Sequence, residues 1–255
     1  MSDQGVVLRA TGIVKSFGGP PAVRGASFEV TAGETVSIIG PNGAGKSTLF
    51  GVCAGEHRPD EGAVEFRGRT VTRWSATRRA RAGMSRTFQV ASFFGSRTVR
   101  ENLVVAHTAT GGTSLAFWDV RGSAGTCRQD VEATLERMGL ATLADTLAEN
   151  LAQGDRKRLE LAMAMLQQPR LLLLDEPTAG MSVDDIRRTV DQLRRIKGEN
   201  PELAVVLTAH DMDVVFSVSD RVVLMGQGEV LVEGTPAEVE AAPETRELYL
   251  GTVDR

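Results

Sequence analysis

The chain has 255 residues, of which 42% are hydrophobic, and a formal net charge of −4. This length allows one large domain or two small ones, and the apolar content is sufficient for a buried core. No segment approaches the roughly 18 uncharged apolar residues that a membrane span needs, and Met1–Gly5 lacks the basic and apolar parts of a secretory signal. The negative charge disfavours general binding to nucleic acid. We therefore expect a cytoplasmic protein.

The first ninety residues predict mainly strands. A continuous apolar run, Thr35–Ile39, ends at a glycine-rich loop, and a helix is expected to follow from Lys46 to about Ala54. The other strands predicted here, bounded by turns rich in glycine and proline, are Val6–Val14, Ala22–Val30 and Val64–Arg69.

The middle of the chain, from about Arg100 to Gln168, predicts helices. Apolar residues recur at three- and four-residue spacing in Asp130–Met138 and in Asp155–Gln167. Between these regions, Thr108–Thr126 is rich in Gly, Ser and Thr. We expect this segment to be an exposed insertion with one small anchored element.

After Pro169, strands and helices alternate. Continuous apolar strands between helices favour a parallel sheet that is covered on both faces. The strands predicted here are Leu171–Leu174, Ala204–Thr208, Arg221–Met225 and Val230–Val232, the last closing a hairpin. The helices are Val183–Lys197, Pro236–Ala241 and Glu244–Leu250.

The glycine-rich loop, Gly40-Pro-Asn-Gly-Ala-Gly-Lys46-Ser47, fits the phosphate-binding pattern without a mismatch. Glycines let consecutive backbone N–H groups surround phosphate oxygens, and the helix that follows points its positive end at the same charge. We expect Lys46 to bridge the β- and γ-phosphates and Ser47 to bind Mg²⁺. The residues expected to contact the nucleotide here are Gly40, Pro41, Asn42, Gly43, Ala44, Gly45, Lys46, Ser47 and Thr48.

Two carboxylates, Asp175 and Glu176, end the predicted strand Leu171–Leu174. Ligands bind at the carboxyl edge of a parallel sheet. We expect Asp175 to hold Mg²⁺ through water and Glu176 to act as general base on an attacking water. The alternative is a cap for the following helix, which suits one carboxylate better than an adjacent pair.

The order of the phosphate loop, Gln89, a glycine turn that opens a helix, Leu171–Glu176 and His210 resembles the nucleotide-binding subunit of ABC transporters. The resemblance covers nearly the whole chain. It implies that Gln89 touches Mg²⁺ and the attacking water and joins two lobes, and that His210 contacts the γ-phosphate. It also implies that Phe17 stacks on adenine. The cofactors implied are ATP and Mg²⁺.

The signature turn of the family, usually Leu-Ser-Gly-Gly-Gln, corresponds here to Leu151, Ala152, Gln153, Gly154 and Asp155. The resemblance implies that this turn belongs to the pocket of an opposite subunit, where helix N–H groups and the helix dipole neutralise charge on the γ-phosphate. Two ATP molecules then lie between two cassettes. Ala152, Gln153 and Ser182 depart from the family pattern, and the missing serine hydroxyl at Ala152 is expected to weaken catalysis.

The resemblance implies an α/β fold, the ABC cassette of the P-loop NTPases. This fold has a mostly parallel sheet core, an N-terminal antiparallel β-subdomain and an inserted α-helical subdomain. The predicted divisions are a catalytic lobe (1–90 and 168–235), a helical signature lobe (91–167) and a C-terminal helical tail (236–255).

Within the family, the signature with its Arg-Lys-Arg-Leu-Glu-Leu continuation and the run Glu176–Ser182 resemble importers of branched-chain amino acids and their relatives for urea and short amides. Ala209, where a glutamate is usual, departs from this branch. The partners implied are a second cassette, identical or a paralogue, two membrane permease subunits, and indirectly a solute-binding protein. The permeases would dock on Gln89 and Val90–Arg97, which places the chain on the inner face of the membrane. A non-transport ABC ATPase of cofactor assembly, repair or translation is the alternative.

The remaining candidates take structural interpretations. Cys53 is expected to be an inert core residue, and His57 and His107 have no metal-spaced partners. A run of arginines is expected to form a solvated face, with contact to a membrane subunit or anionic lipid as the second interpretation and nucleic acid as the last. Its members are Arg67, Arg69, Arg73, Arg78, Arg79, Arg81 and Arg86.

Overall fold

A computed structural model describes residues 5–87, 93–110, 123–209 and 211–249. Within these ranges, the chain has no helix of the length and apolar character needed to cross a bilayer. The predicted contacts of Gln89 and His210 fall on positions outside the described residues.

Two sheets form from the described strands. The first is antiparallel and has the order β2-β1-β4-β5, and the second has the order β10-β9-β3-β8-β7-β6. The strands are β1 (Val6–Lys15), β2 (Val23–Thr31), β3 (Thr35–Ile39), β4 (Glu61–Phe66), β5 (Arg69–Thr70), β6 (Met84–Thr87), β7 (Leu171–Asp175), β8 (Ala204–Thr208), β9 (Arg221–Gly226) and β10 (Glu229–Gly234).

The larger sheet is parallel except at one edge. β6, β7, β8, β3 and β9 pair in parallel, and only β10 runs antiparallel, to β9. The carboxyl ends of β3, β7 and β8 therefore meet at one edge, where the phosphate loop follows β3. This arrangement confirms the predicted parallel core with an N-terminal antiparallel sheet.

Helices cover the sheet and extend from it. Their bounds are α1 (Lys46–Ala54), α2 (Ala76–Arg81), α3 (Val99–Thr110), α4 (Ser123–Arg137), α5 (Gln153–Leu166), α6 (Val183–Glu199), α7 (Met212–Val218), α8 (Pro236–Ala241) and α9 (Pro243–Tyr249). α3, α4 and α5 lie within the range 91–167 predicted for a helical lobe; the division into lobes remains a prediction.

The buried core is split by the larger sheet, because alternate side chains of each strand point to opposite faces. On β7, Leu171 and Leu173 join the cluster that contains α1 and the antiparallel sheet. Leu172 and Leu174 join the cluster that contains the helices α3 to α6. All four leucines are at most 1% exposed, which explains the unbroken apolar run in the sequence.

One expectation about local structure was wrong. The predicted strand Val64–Arg69 is a hairpin, in which β4 and β5 pair through Phe66 and Arg69. Arg67 and Gly68 form the turn with φ of 51° and 71°, a conformation that matches the twist of a two-residue hairpin. The ends of the segment Thr108–Thr126 belong to α3 and α4, and its middle lies outside the described residues, so the expected exposed insertion stays a prediction.

Candidate nucleotide site

The phosphate loop joins β3 to α1, as its sequence predicts. Gly40, Gly43 and Gly45 have φ of 147°, 81° and 95°. A side chain at Gly40 would come within 2.2 Å of the Met225 carbonyl oxygen, and one at Gly45 within 2.4 Å of the Ala22 carbonyl oxygen. The loop therefore needs glycine for both its conformation and its close neighbours. No side chain caps the start of α1, so its first N–H groups can serve a bound anion.

Lys46 lies over the loop that precedes it. Its Nζ donates to the carbonyl oxygens of Gly40, at 2.7 Å, and Pro41, at 3.0 Å. Burial lowers the pKa of Lys46, while the charges of Glu176 and Asp175 act in the opposite direction. The ammonium group is thus held beside the loop and within the field of both carboxylates, which brings the two predicted halves of the site together.

Asp175 is almost fully buried at the carboxyl end of β7, with a 2% exposed fraction. One carboxylate oxygen accepts a hydrogen bond of 2.7 Å from the Thr208 hydroxyl. The other accepts one of 3.0 Å from the Arg86 guanidinium. A hydroxyl at Ser47, which is exposed, and a carboxylate at Asp175 are the oxygen donors that Mg²⁺ prefers. The residues therefore fit the cation that the family implies.

Glu176 turns the chain sharply after β7. Its φ is 46°, in the left-handed region that a glutamate rarely adopts. The Glu176 N–H donates to the Thr208 hydroxyl oxygen at 2.9 Å and lies 3.2 Å from the Thr208 carbonyl oxygen. The next helix, α6, is capped by Ser182, whose hydroxyl accepts from the Asp185 N–H at 3.2 Å. The interpretation of the two carboxylates as a helix cap is therefore wrong for α6.

Phe17 lies just after the end of β1 and presents its ring to solvent, with 61% of the residue exposed. The His57 ring packs edge-on against it, with centroids 5.1 Å apart, and the Lys15 ammonium lies 5.4 Å from the Phe17 centroid. His57 thus supports Phe17 from one side, in line with the structural role expected for it. The exposed ring can receive a base by stacking.

The signature turn, Leu151–Asp155, opens α5 two residues earlier than predicted, at Gln153. Leu151 is buried, whereas Ala152 and Gln153 are exposed. The Gln153 side-chain amide donates to the Ala179 carbonyl oxygen at 3.1 Å. A side chain at Gly154 would lie 3.0 Å from the Asp185 carboxylate. The turn is therefore attached to the segment that follows Glu176 in the same chain.

The comparisons with known proteins agree with this geometry. The model of the ABC transporter family matches residues 23–179, a range that contains the phosphate loop, the signature turn, Asp175 and Glu176. The chain belongs to the ABC transporter family. It is an ABC ATPase, an ATP-hydrolysing cassette involved in transport.

Relatives of this cassette match over nearly their full lengths. The high-affinity branched-chain amino acid transport ATP-binding protein LivG of Salmonella typhimurium is 38% identical over 250 residues, covering 96% of this chain and 98% of LivG. The protein of the same description, BraF of Pseudomonas aeruginosa, is 36% identical over 253 residues, covering 96% and 98%. A crystal structure of an ATP-binding cassette of an ABC transporter in its ADP conformation superposes with a TM-score of 0.84 at 29% identity, covering 96% and 99%.

Two residues at the site of this ABC cassette are revealed by the structure and were not predicted from the sequence. Thr208 contacts both Asp175 and Glu176, and Arg86 contacts Asp175. Neither has a clear signal in a single sequence, because a threonine at a strand end and one arginine among seven are common features. Only the register of β6, β7 and β8 brings these side chains to the carboxylates.

The arginine run of the cassette is not a uniform solvated face. Arg79 is 1% exposed, and its guanidinium donates to the carbonyl oxygens of Val52, at 2.8 Å, and Cys53, at the end of α1. Burial raises the pKa of Cys53 to about 12, against the opposing charge of Arg79, which agrees with the inert role expected for this thiol. Arg67, Arg69, Arg73, Arg78 and Arg81 are exposed as predicted.

Proposed function

We propose that this chain is the ATP-binding and hydrolysing subunit of an ABC importer for branched-chain amino acids or related small polar solutes. The observation that carries the proposal is its similarity, over 96% of its length, to two proteins described as branched-chain amino acid transport ATP-binding proteins. The intact set of Lys46, Asp175 and Glu176 supports an active rather than a degenerate cassette.

The chemistry proposed for the site is phosphoryl transfer from ATP to water. The N–H groups of the phosphate loop bind the β- and γ-phosphates, and Lys46 leaves the Gly40 and Pro41 carbonyl oxygens to contact them. Glu176, placed at the carboxyl edge of the sheet, accepts the proton of the attacking water. A bound Mg²⁺ supplies charge neutralisation on the phosphates, and Ser47, Asp175 and Gln89 are the residues proposed to hold it. His210 is proposed to contact the γ-phosphate.

We propose that a second cassette completes each pocket. The start of α5 has no side-chain cap, so the N–H groups of its first turn, including that of Gly154, have no partner within the helix. The neighbouring Ala152 and Gln153 are exposed. Two cassettes facing each other would bring this turn to the γ-phosphate of the opposite nucleotide and supply the donors that ATP hydrolysis needs. The second cassette is identical or a paralogue.

Two permease subunits are the proposed membrane partners. The segment proposed to dock on them is Gln89 with Val90–Arg97, and in its described part Phe94 is 55% exposed. Such a large exposed apolar side chain suits a contact with another protein. The chain would then lie on the inner face of the membrane and receive the signal of a solute-binding protein indirectly, through the permeases.

The experiment is to isolate the complete transporter. The tagged chain is purified from mild detergent with the membrane proteins that accompany it, reconstituted into liposomes, and assayed for uptake of labelled leucine, urea and acetamide. ATP-dependent uptake of leucine that disappears in Glu176→Gln supports the proposal. Uptake of urea or acetamide without uptake of leucine would identify the solute as urea or a short amide. Association with soluble proteins only, and no uptake, would overturn the importer function in favour of a non-transport ATPase.

A further inference from the structure

The carboxylate of Asp175 is contacted from two sides by residues of neighbouring strands. β6 and β8 flank β7 in the sheet, and each contributes one donor. From β8, the Thr208 hydroxyl donates to one carboxylate oxygen at 2.7 Å. From β6, the Arg86 guanidinium donates to the other at 3.0 Å. The Asp175 side chain is 1% exposed, so these donors replace most of the water that a free carboxylate would bind.

Thr208 has a second contact at the same point. Its hydroxyl oxygen accepts the N–H of Glu176 at 2.9 Å, while its hydrogen is given to Asp175. One hydroxyl group therefore links the side chain of Asp175 to the main chain of Glu176. Because Glu176 is in a strained left-handed conformation with φ of 46°, this bond also helps to fix the direction of the turn that carries the Glu176 side chain.

Arg86 also contacts the helix of the phosphate loop and a residue that follows it. Its guanidinium forms an ion pair with Glu56 as well as with Asp175, and it lies 4.9 Å from the ring centroid of Phe50. Phe50 belongs to α1, and Glu56 follows that helix closely. Arg86 thus ties the helix of the phosphate loop to the carboxylate at the end of β7, with only 12% of its side chain exposed.

We propose that Thr208 and Arg86 are positioning residues that together orient the Asp175 carboxylate for a divalent cation, and that Thr208 also orients Glu176. Neither residue touches the nucleotide or the cation in this proposal. Outer groups of this kind fix the direction of a ligand's lone pairs, and their loss typically weakens metal binding by about 10- to 100-fold. The inference rests on the proposed role of Asp175 as a metal-holding residue.

The test separates metal binding from nucleotide binding. Mn²⁺ serves as the probe, and its affinity in the presence of ADP is measured by electron paramagnetic resonance. The affinity for a fluorescent ADP analogue is measured in EDTA, without metal. The variants are Thr208→Val, which removes the hydroxyl at nearly constant shape, Thr208→Ser, which keeps it, and Arg86→Gln.

Two controls match these variants. Thr245→Val removes another buried threonine hydroxyl, one that donates to the Val239 carbonyl oxygen. Glu56→Gln removes the other ion pair of Arg86 and leaves its contact with Asp175. Thermal melts of every variant check the fold, and Arg86→Gln decides the question if Thr208→Val does not fold.

We expect Thr208→Val and Arg86→Gln each to weaken Mn²⁺ binding by about 10-fold or more, with metal-free ADP affinity unchanged. We expect Thr208→Ser and both controls to resemble the wild type. Wild-type Mn²⁺ affinity in Thr208→Val and Arg86→Gln would overturn the positioning role while leaving the metal role of Asp175 intact. Wild-type Mn²⁺ affinity in Asp175→Asn would instead overturn the proposed role of Asp175 itself.

Discussion

At the scale of single residues, Phe17 is unusual because its apolar ring is exposed to solvent rather than buried. It is 61% exposed and is supported by the edge of His57, 5.1 Å away. A large apolar ring just after the end of β1, with a neighbour on one side and solvent on its face, suits a planar ligand. We therefore propose that the adenine of ATP stacks on this face.

Replacing Phe17 with alanine should loosen ATP with little effect on the chemical step. Stacking of a base on an aromatic ring contributes about 1–3 kcal/mol, so the Kd for ATP should rise by roughly 5- to 150-fold. Isothermal titration calorimetry measures this change, and Phe17→Tyr, which keeps a ring, is the control. An unchanged Kd in Phe17→Ala would exclude Phe17 from the adenine site.

Glu233 gives a prediction for pH. Burial raises the pKa of Glu233, as do Glu34 and Glu29, while Arg221 lowers it. A group whose pKa is higher in the folded state than in the unfolded state stabilises the fold at pH values below its unfolded pKa. This stabilisation is lost as the pH rises through its folded pKa. Glu233→Gln should therefore stabilise the protein more, relative to wild type, at pH 7 than at pH 4.5.

Urea unfolding at the two pH values measures this difference. The matched control is Glu229→Gln, at the other end of the same strand, β10, which is measured in the same way. A larger relative gain for Glu233→Gln at the acidic pH would reverse the sign and contradict the argument.

At the scale of secondary structure elements, α1 is stabilised at its end by a buried cation. Arg79 donates to two carbonyl oxygens in the last turn of α1 and to that of Val71, at 2.8 Å. A positive charge at the carboxyl end of a helix interacts favourably with the helix dipole. Arg79 therefore joins α2 to the helix that presents the phosphate loop.

Substitution of Arg79 by methionine should destabilise the fold by roughly 2–4 kcal/mol, because buried carbonyl oxygens would lose charged donors. Chemical denaturation measures the loss. Arg81→Met, on the exposed side of the same helix, is the control and should change stability little. Equal stability of the two variants would show that the buried contacts of Arg79 do not contribute to the stability of the fold.

A substitution in the signature turn is expected to raise stability and turnover rather than lower them. Ala152 occupies the cap position of α5 and gives no side-chain hydrogen bond. Ala152→Ser should stabilise the helix by about 1 kcal/mol, since serine is a preferred cap, and should raise the turnover of the assembled cassette. Steady-state ATPase assays measure the second effect, with the exposed Ala141→Ser as control. Unchanged turnover would make the missing hydroxyl irrelevant to catalysis.

Sequence patterns located the elements whose physical signals are local. The bounds of α1, β8 and α8 agree with Lys46–Ala54, Ala204–Thr208 and Pro236–Ala241, because glycine, apolar runs or a capping box mark them. α2 and β6 carry no such signal, since Ala76–Thr87 is rich in arginine and its apolar residues show no clear period. The burial of Arg79 and the contact of Arg86 with Asp175 depend on tertiary structure, which no local pattern reveals.

The same distinction holds for the site, where local motifs were predictable from the sequence and long-range contacts were not. The phosphate loop and Asp175-Glu176 are contiguous motifs whose residue types follow from the chemistry of phosphate and metal binding. Thr208 and Arg86 enter the site through strand pairing across more than 30 and more than 80 residues of chain, and so they required the structure. The roles of the individual site residues remain predictions that the variants above test.

At the scale of the whole molecule, the main prediction concerns assembly. Glu176→Gln should bind ATP, lose most hydrolysis and accumulate as a closed dimer, because the base is removed while the phosphate contacts remain. Size-exclusion chromatography with light scattering detects the dimer, with ADP in place of ATP as control. The ATPase turnover per wild-type molecule should also rise with protein concentration. Brisk turnover independent of concentration would contradict the shared pocket.

The position of β8 in the sheet has a consequence for biosynthesis. β8 is late in the chain, yet it lies between β3, which precedes the phosphate loop, and β7, which carries Asp175. On the ribosome, β3 and β7 are both synthesised before the strand that lies between them, and domains generally fold from the N-terminus as units. A nascent chain arrested before residue 204 thus has every atom of its phosphate loop but not the spacing to its carboxylates. ATP would then stabilise the complete cassette and not its truncated precursors.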